Sequence, residues 1–207
     1  LTIDNLKTKY LPIIDDEKKI KYEQNLKTIL KQIKQIENLV NEFSDFARMP
    51  KPLFKKNNLN DVIKENINLV SKIDSSIKIR LINHLSKDLI FSFDNEQFNR
   101  LFFNLIKNSV ESILEKAQKT NKINKNIDIE IRQRRDYINV NLVDTGIGFK
   151  SKKTKDLIKP YFTTKDKGTG LGLSIVDKII SDHNGSIKFS NHKNGAKIQI
   201  VIPILKK

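Results

Sequence analysis

Asp144-Thr-Gly-Ile-Gly-Phe149 and Gly168-Thr-Gly-Leu-Gly-Leu173 are the stretches on which the fold turns. The first ends an alternating run, Asn139-Val-Asn-Leu-Val143, and so places a carboxylate at the tip of a strand. A carboxylate there can accept a hydrogen bond from an exocyclic amine such as that of adenine. Gly146 and Gly148 would let the backbone come close to a flat base. The same residues also suit an ordinary Asp-Gly turn. The second stretch opens into an apolar helical pattern from Gly170 to His183, and free N–H groups at a helix start favour phosphate. It has neither the Gly-Lys-Ser/Thr ending of a Walker A loop nor the spacing of a dinucleotide fingerprint. The loop between them holds Lys150, Lys152, Lys153, Lys155, Lys159, Lys165 and Lys167. Lys165 and Lys167 abut the glycines and are the better candidates to neutralise phosphates.

Upstream, Asp94 opens a helix with Gln97 three residues on, the pattern of a capping box. That helix turns Phe98, Leu101, Phe102, Leu105 and Val110 inward. Asn104 and Asn108 stand four apart on it, so both amides leave one face. Their carbonyl oxygens are hard donors suited to Mg²⁺, which takes few protein ligands. Polar residues on a solvated face would look the same. A helix over 60–73, strands over 77–83 and 89–93, and a hairpin of 127–132 with 137–143 surround it. Two last strands, 186–190 and 197–202, meet at Lys193-Asn194-Gly195. Helices on one face of a mixed sheet predict an α+β sandwich.

The first part of the chain reads differently. Residues 1–11 are helical, and Pro12 with Asp15-Asp16 ends that helix. In residues 17–48, Tyr22, Leu26, Ile29, Ile33, Ile36, Val40 and Phe43 are spaced alternately four and three apart. That heptad seam predicts an antiparallel hairpin whose apolar face needs a second copy, giving a dimeric four-helix bundle. Packing on its own domain is the alternative. Met49-Pro50-Lys51-Pro52 ends the helix and sets the boundary between residues 1–49 and 50–207.

Composition narrows the class. The 207 residues contain no cysteine, which excludes disulfides and thiolate metal sites. No apolar run approaches the roughly 20 residues of a membrane span. The net charge of +15 favours anionic partners. The absence of a basic stripe interleaved with aromatics makes nucleic acid a minor alternative. The start at Leu1, within a helix, leads us to expect a piece of a longer protein.

Asn104-x₃-Asn108 on a helix, then Asp144-x-Gly146-x-Gly148, then Phe162 in a loop, then Gly168-x-Gly170-x-Gly172, resembles the N, G1, F and G2 boxes of sensor histidine kinases of the GHKL superfamily. Asn41-Glu-Phe-Ser-Asp-Phe-Ala-Arg-Met-Pro-Lys-Pro52 resembles the hairpin exit of nitrogen-regulation sensor kinases of NtrY type. The resemblance implies a Bergerat-type α/β sandwich that binds ATP, preceded by a partial dimerisation and phosphotransfer hairpin. It implies Asn108 as the Mg²⁺ ligand with Asn104 beside the phosphates, and Asp144 on the adenine amine. Gly146, Gly148 and Phe149 would shape the base pocket. Thr164, Lys165, Gly168, Thr169, Gly170, Leu171, Gly172 and Leu173 would surround the triphosphate. Relatives that cleave ATP with water carry a glutamate base where Asn104 stands, so transfer to a protein histidine is expected over a hydrolytic ATPase, and the intact Asn108, Asp144 and three glycines disfavour a degenerate binding module. Two departures stand out. Ala196 replaces a Thr that in many relatives supports the adenine-binding Asp. His84, His183 and His192 all lie outside the hairpin, so the acceptor histidine is expected upstream of Leu1. A cognate response regulator, and membrane attachment only through segments outside this chain, complete the expectation of a cytoplasmic portion of a bacterial inner-membrane sensor.

Overall fold

The computed structural model describes residues 2–85, 89–120, 123–150, 154–163, 165 and 168–204. The chain forms two compact units, Leu1–Met49 and Pro50–Lys207. In the first, α1 (Thr2–Tyr10) runs into a single 3₁₀ turn (Leu11–Ile13) that accommodates Pro12, and α2 (Asp16–Ala47) follows. The Tyr22 hydroxyl reaches the Leu6 carbonyl at 3.5 Å, so α1 returns onto the start of α2. Leu26 is buried, whereas Ile29, Ile33, Ile36 and Val40 are 44–63% exposed in the single chain. The heptad seam is therefore uncovered beyond its first turns.

The second unit contains β1 (Lys55–Asn58), α3 (Leu59–Ser71), β2 (Lys78–Asn83), β3 (Ile90–Phe93), α4 (Asn95–Lys119), β4 (Asn126–Arg134), β5 (Tyr137–Asp144), α5 (Thr154–Leu157), α6 (Gly172–Asp182), β6 (Ser186–His192) and β7 (Gly195–Pro203). Five strands form one sheet in the order β2-β4-β5-β7-β6, with β2 parallel to β4 and the other neighbours antiparallel. The period-two pattern of β5 buries Ile138, Val140 and Leu142 against the helices, and Asp144 continues the same series. Its carboxylate therefore enters the helix side of the sandwich. On α4, Phe98, Leu101, Phe102, Leu105, Ile106 and Ile113 are fully buried. Each such side chain contributes about 1.5–3 kcal/mol relative to exposure.

Three features depart from the sequence reading. β1, Lys-Lys-Asn-Asn, has no apolar residue; it exists because β3 lies beside it, and Asn57 Nδ2 donates to the Phe93 carbonyl at 2.8 Å. The loop after β5 contains the short helix α5. Asp94 does cap α4, accepting from the Gln97 N–H at 2.9 Å, a contact of about 1 kcal/mol. The reciprocal half of the capping box does not form, however. The Asp94 N–H donates to His183 Nε2 at 3.1 Å, and Gln97 Nε2 donates instead to the Pro50 carbonyl at 3.0 Å.

His183 is buried against Phe98 and Phe54, with Nδ1 2.8 Å from the Ile179 carbonyl. Nδ1–H donates and Nε2 accepts, which is the neutral tautomer. Burial pushes its pKa below the ordinary histidine value. This histidine ties the end of α6 to the start of α4.

Candidate nucleotide-binding site

The site is built where β5 ends, between α4 and the start of α6. Asp144 is 2% exposed. Its Oδ1 accepts from the N–H groups of Gly146 at 2.9 Å and Ala196 at 3.1 Å, and its Oδ2 accepts from Ser109 Oγ at 3.1 Å. Burial raises its pKa, while these hydrogen bonds and the nearby Lys116 charge oppose the rise. Each carboxylate oxygen offers two lone-pair positions. Among the described residues Oδ1 accepts two bonds and Oδ2 one, which leaves Oδ2 a second acceptor position. Ala196 supports Asp144 through its backbone N–H, a bond that does not depend on its side chain.

Glycine at 146 is demanded by the packing of its own turn. A Cβ there would overlap the Ser112 side chain of α4. The turn lies directly on that helix, and Ser112 Oγ accepts from the Ile147 N–H at 3.0 Å. Gly148 lies opposite Asn191 of β6. Asn191 brackets Phe149, accepting from its N–H at 2.7 Å and donating to its carbonyl at 3.0 Å. The Phe149 ring meets Phe189 edge-on, with centroids 5.6 Å apart.

At the other end, α6 begins at Gly172, two residues later than its apolar pattern indicated. Gly170 has φ +72°, which excludes it from a right-handed helix, and a Cβ there would meet the Tyr161 carbonyl carbon at 2.5 Å. Gly168 packs beside Thr163, and Thr169 Oγ1 accepts from the Leu171 N–H at 3.4 Å. Leu171 is fully buried and Leu173 half-buried, which seats the helix start in the core. A Cβ on Gly172 would lie 3.5 Å from Asn104 Oδ1 and 3.6 Å from Asn108 Nδ2. Both α4 amides therefore face the first turn of α6, where N–H groups and the helix dipole favour anions.

Lys165 reaches into this corner. Its ammonium donates to Glu111 Oε2 at 2.5 Å and to Asn108 Oδ1 at 3.3 Å. A cation thus already occupies the space beside the Asn108 oxygen. Thr164, Lys152, Lys153 and Lys167 lie outside the described residues. Of the other loop lysines, Lys159 pairs with Asp156 at 2.7 Å and Lys150 with Glu115 at 3.4 Å.

Four contributors escaped the sequence reading: Ser109, Ser112, Lys116 and Asn191. The first three sit at helical spacing on one face of α4. Polar residues at that spacing inside a helix otherwise packed with apolar side chains were the available signal.

Residues 93–206, more than half of the chain, match the family described as histidine kinase-, DNA gyrase B-, and HSP90-like ATPase. The chain is 32% identical over 207 residues to a putative NtrY-like sensor histidine kinase of Rickettsia felis, covering 100% of this chain and 33% of that protein. It is 28% identical over 195 residues to nitrogen regulation protein NtrY of Azorhizobium caulinodans, covering 94% of this chain and 25% of that protein. It therefore spans a third or less of the length of these relatives. Among solved structures, the catalytic domain of histidine kinase ThkA superposes with a TM-score of 0.63 at 27% identity, over 73% of this chain and 96% of that one. ThkA in complex with response regulator TrrA gives 0.71 at 24% identity, over 99% of this chain and 57% of that one. The chain belongs to the histidine kinase-, DNA gyrase B- and HSP90-like ATPase family, in the branch of two-component sensor histidine kinases.

Proposed function

We propose that this chain is the Mg·ATP-binding catalytic portion of a sensor kinase that transfers the γ-phosphoryl group to a histidine, and from there to a response-regulator aspartate. One observation carries the reading. A buried carboxylate with a single remaining acceptor position lies at one end of the site, and two amides facing a helix N-terminus lie at the other. Asp144 Oδ2 accepts the adenine 6-amine. The first turn of α6 and Lys165 receive the phosphates. Asn108 holds Mg²⁺ through Oδ1, and Asn104 lies beside it.

The residues fit the metal. Among the described residues no cluster of three or more His, Cys, Asp or Glu could hold a metal ion. Mg²⁺ suits such a place because phosphates and water complete its shell. The Lys165 ammonium beside Asn108 Oδ1 marks where a cation is stabilised. When bound, the metal neutralises charge on the phosphates. Asn104 is an amide and cannot take a proton from water, so catalysis rests on positioning and charge neutralisation, as suits transfer to a protein nucleophile. None of the three histidines lies on α1 or α2. The acceptor is therefore supplied from outside these helices.

The likeness to NtrY-like sensors supports placing the chain on the cytoplasmic side of a membrane sensor. The uncovered seam of α2 supports pairing of the hairpin with a second copy. The test mixes this chain with a histidine-bearing sensor-kinase hairpin and radiolabelled Mg·ATP. Acid-labile, alkali-stable label on the hairpin supports transfer. Release of labelled inorganic phosphate alone identifies a hydrolytic ATPase. Neither product, despite ATP binding, identifies a binding module.

A further inference from the structure

Lys116 lies near the end of α4, two turns beyond Asn108 and half-buried. Its ammonium donates to the carbonyls of Thr145 at 3.0 Å, Gly146 at 3.0 Å and Asn194 at 2.5 Å. An ammonium has three N–H donors, so these carbonyls use all of them. They belong to two segments distant in sequence: the turn after β5, and the turn between β6 and β7 that leads into the first residues of β7. Each segment supplies one N–H to the same oxygen. Gly146 donates to Asp144 Oδ1 from the first, and Ala196 from the second. One point charge therefore gathers the two peptide segments that fix the Asp144 carboxylate.

We infer that Lys116 is a positioning residue for base recognition, locking the Asp144 carboxylate by clamping both turns that hydrogen-bond its Oδ1. This rests on the nucleotide reading above. The rest of the α4 face supports it. Ser109 bonds Oδ2, and Ser112 bonds the Ile147 N–H, so Ser109, Ser112 and Lys116 hold the 144–147 stretch from one side of a rigid helix. The Asn194 carbonyl is exposed and can bond water. Loss of the ammonium therefore releases the geometry of the turns more than it harms the core. The compact ammonium also explains the choice of lysine. A planar guanidinium spreads its donors along a fork, so arginine would keep the charge but only part of this three-way clamp.

The test compares Lys116→Met, Lys116→Gln and Lys116→Arg with the native chain, by calorimetry with Mg·ATP and by amide hydrogen exchange. The Met variant is expected to bind Mg·ATP about tenfold more weakly. Exchange should accelerate at the Gly146 and Ala196 amides while the β4–β5 ladder stays protected, and Arg, which keeps the charge, should restore part of both. Should Met prevent folding, Gln, which keeps a neutral donor, carries the same comparison. Native Mg·ATP affinity in both neutral variants would overturn the inference, as would unchanged exchange at the two amides. Uniformly faster exchange across the sheet, not rescued by Arg, would reduce Lys116 to a general fold contact and also overturn it. A native chain that takes up no Mg·ATP would remove the nucleotide reading itself, an outcome visible before any variant is made.

Discussion

Replacing Asp144 by Asn keeps the contacts the carboxylate makes inside the protein and reverses the one it would offer a base. The amide oxygen can still accept from Gly146 and Ala196, and the amide nitrogen can donate to Ser109 Oγ. The nitrogen's second N–H then points into the pocket, donor against the donor of the adenine 6-amine. A hydrogen bond to a charged acceptor is worth about 1.5–3 kcal/mol, and an unpaired buried donor costs about 1–3 kcal/mol. A net loss of about 3 kcal/mol corresponds to more than a hundredfold in affinity. A 6-oxo purine accepts where adenine donates, so Mg·ITP should lose far less, or gain. Stability should not follow affinity. Burial raises the Asp144 pKa, so its protonated form adds stability that is present at low pH and lost as pH rises through the raised value. At neutral pH the native fold therefore bears a buried charge that Asn removes, and the variant should melt at or above the native temperature. Calorimetry with both nucleotides, together with thermal melts, tests this. Mg·ATP binding to Asp144→Asn within about threefold of native, with an unchanged ATP-to-ITP ratio, would remove Asp144 from the base pocket. A marked fall in melting temperature would make it a structural residue.

Three further outcomes follow from other parts of the molecule. Asn108→Ala should erase most of the Mg²⁺ dependence of ATP binding, so that adding a chelator lowers affinity by about tenfold in the native chain and scarcely in the variant; equal chelator sensitivity would exclude Asn108 as the ligand. His183 has a depressed pKa in the fold, so its contribution is present above the unfolded value of about 6.5 and is lost as pH falls below it. Melting temperature should decline as pH falls below about 6.5, and His183→Gln, though less stable, should flatten that limb; an unchanged limb would place the titration elsewhere. Sedimentation should show self-association lost in Ile36→Lys, which places a charge on the exposed seam of α2; a native monomer at tens of micromolar, or a dimer indifferent to the substitution, would rule out pairing through that seam.

What the sequence disclosed was local, and what it concealed was relational. The seam of α2, the alternation that turns Asp144 inward, the Asp94 cap and the apolar face of α4 are periodicities or short-range bonds, and each reads directly from residue order. β1 has no signal of its own because its pairing with β3 arises from residues 36 apart, as in the Asn57–Phe93 bond. Gln97 looked like half of a capping box, but the N–H it would have served is taken by His183, 89 residues away. That Ser112 also demands a glycine at 146 depends on a contact 34 residues apart in sequence, which residue order does not show. Lys116 was one lysine among many in a strongly basic chain, and its partner Asn194 lies 78 residues on. Lys165 was legible as a cation near the glycines, but its tie to Glu111 depends on how the loop returns to α4.

The location of the site is tested most directly by mapping amide chemical shifts of the native chain on titration with Mg·ATP. Saturable shifts are expected, confined to residues 104–116, 144–149, 168–174 and 194–196 and including the side-chain amides of Asn104 and Asn108. Shifts concentrated instead on the open face of the sheet, around Glu130, Asn141 and Gln199, or on the lysines of α2, with 144–149 and the Asn104 and Asn108 side chains unmoved, would contradict it.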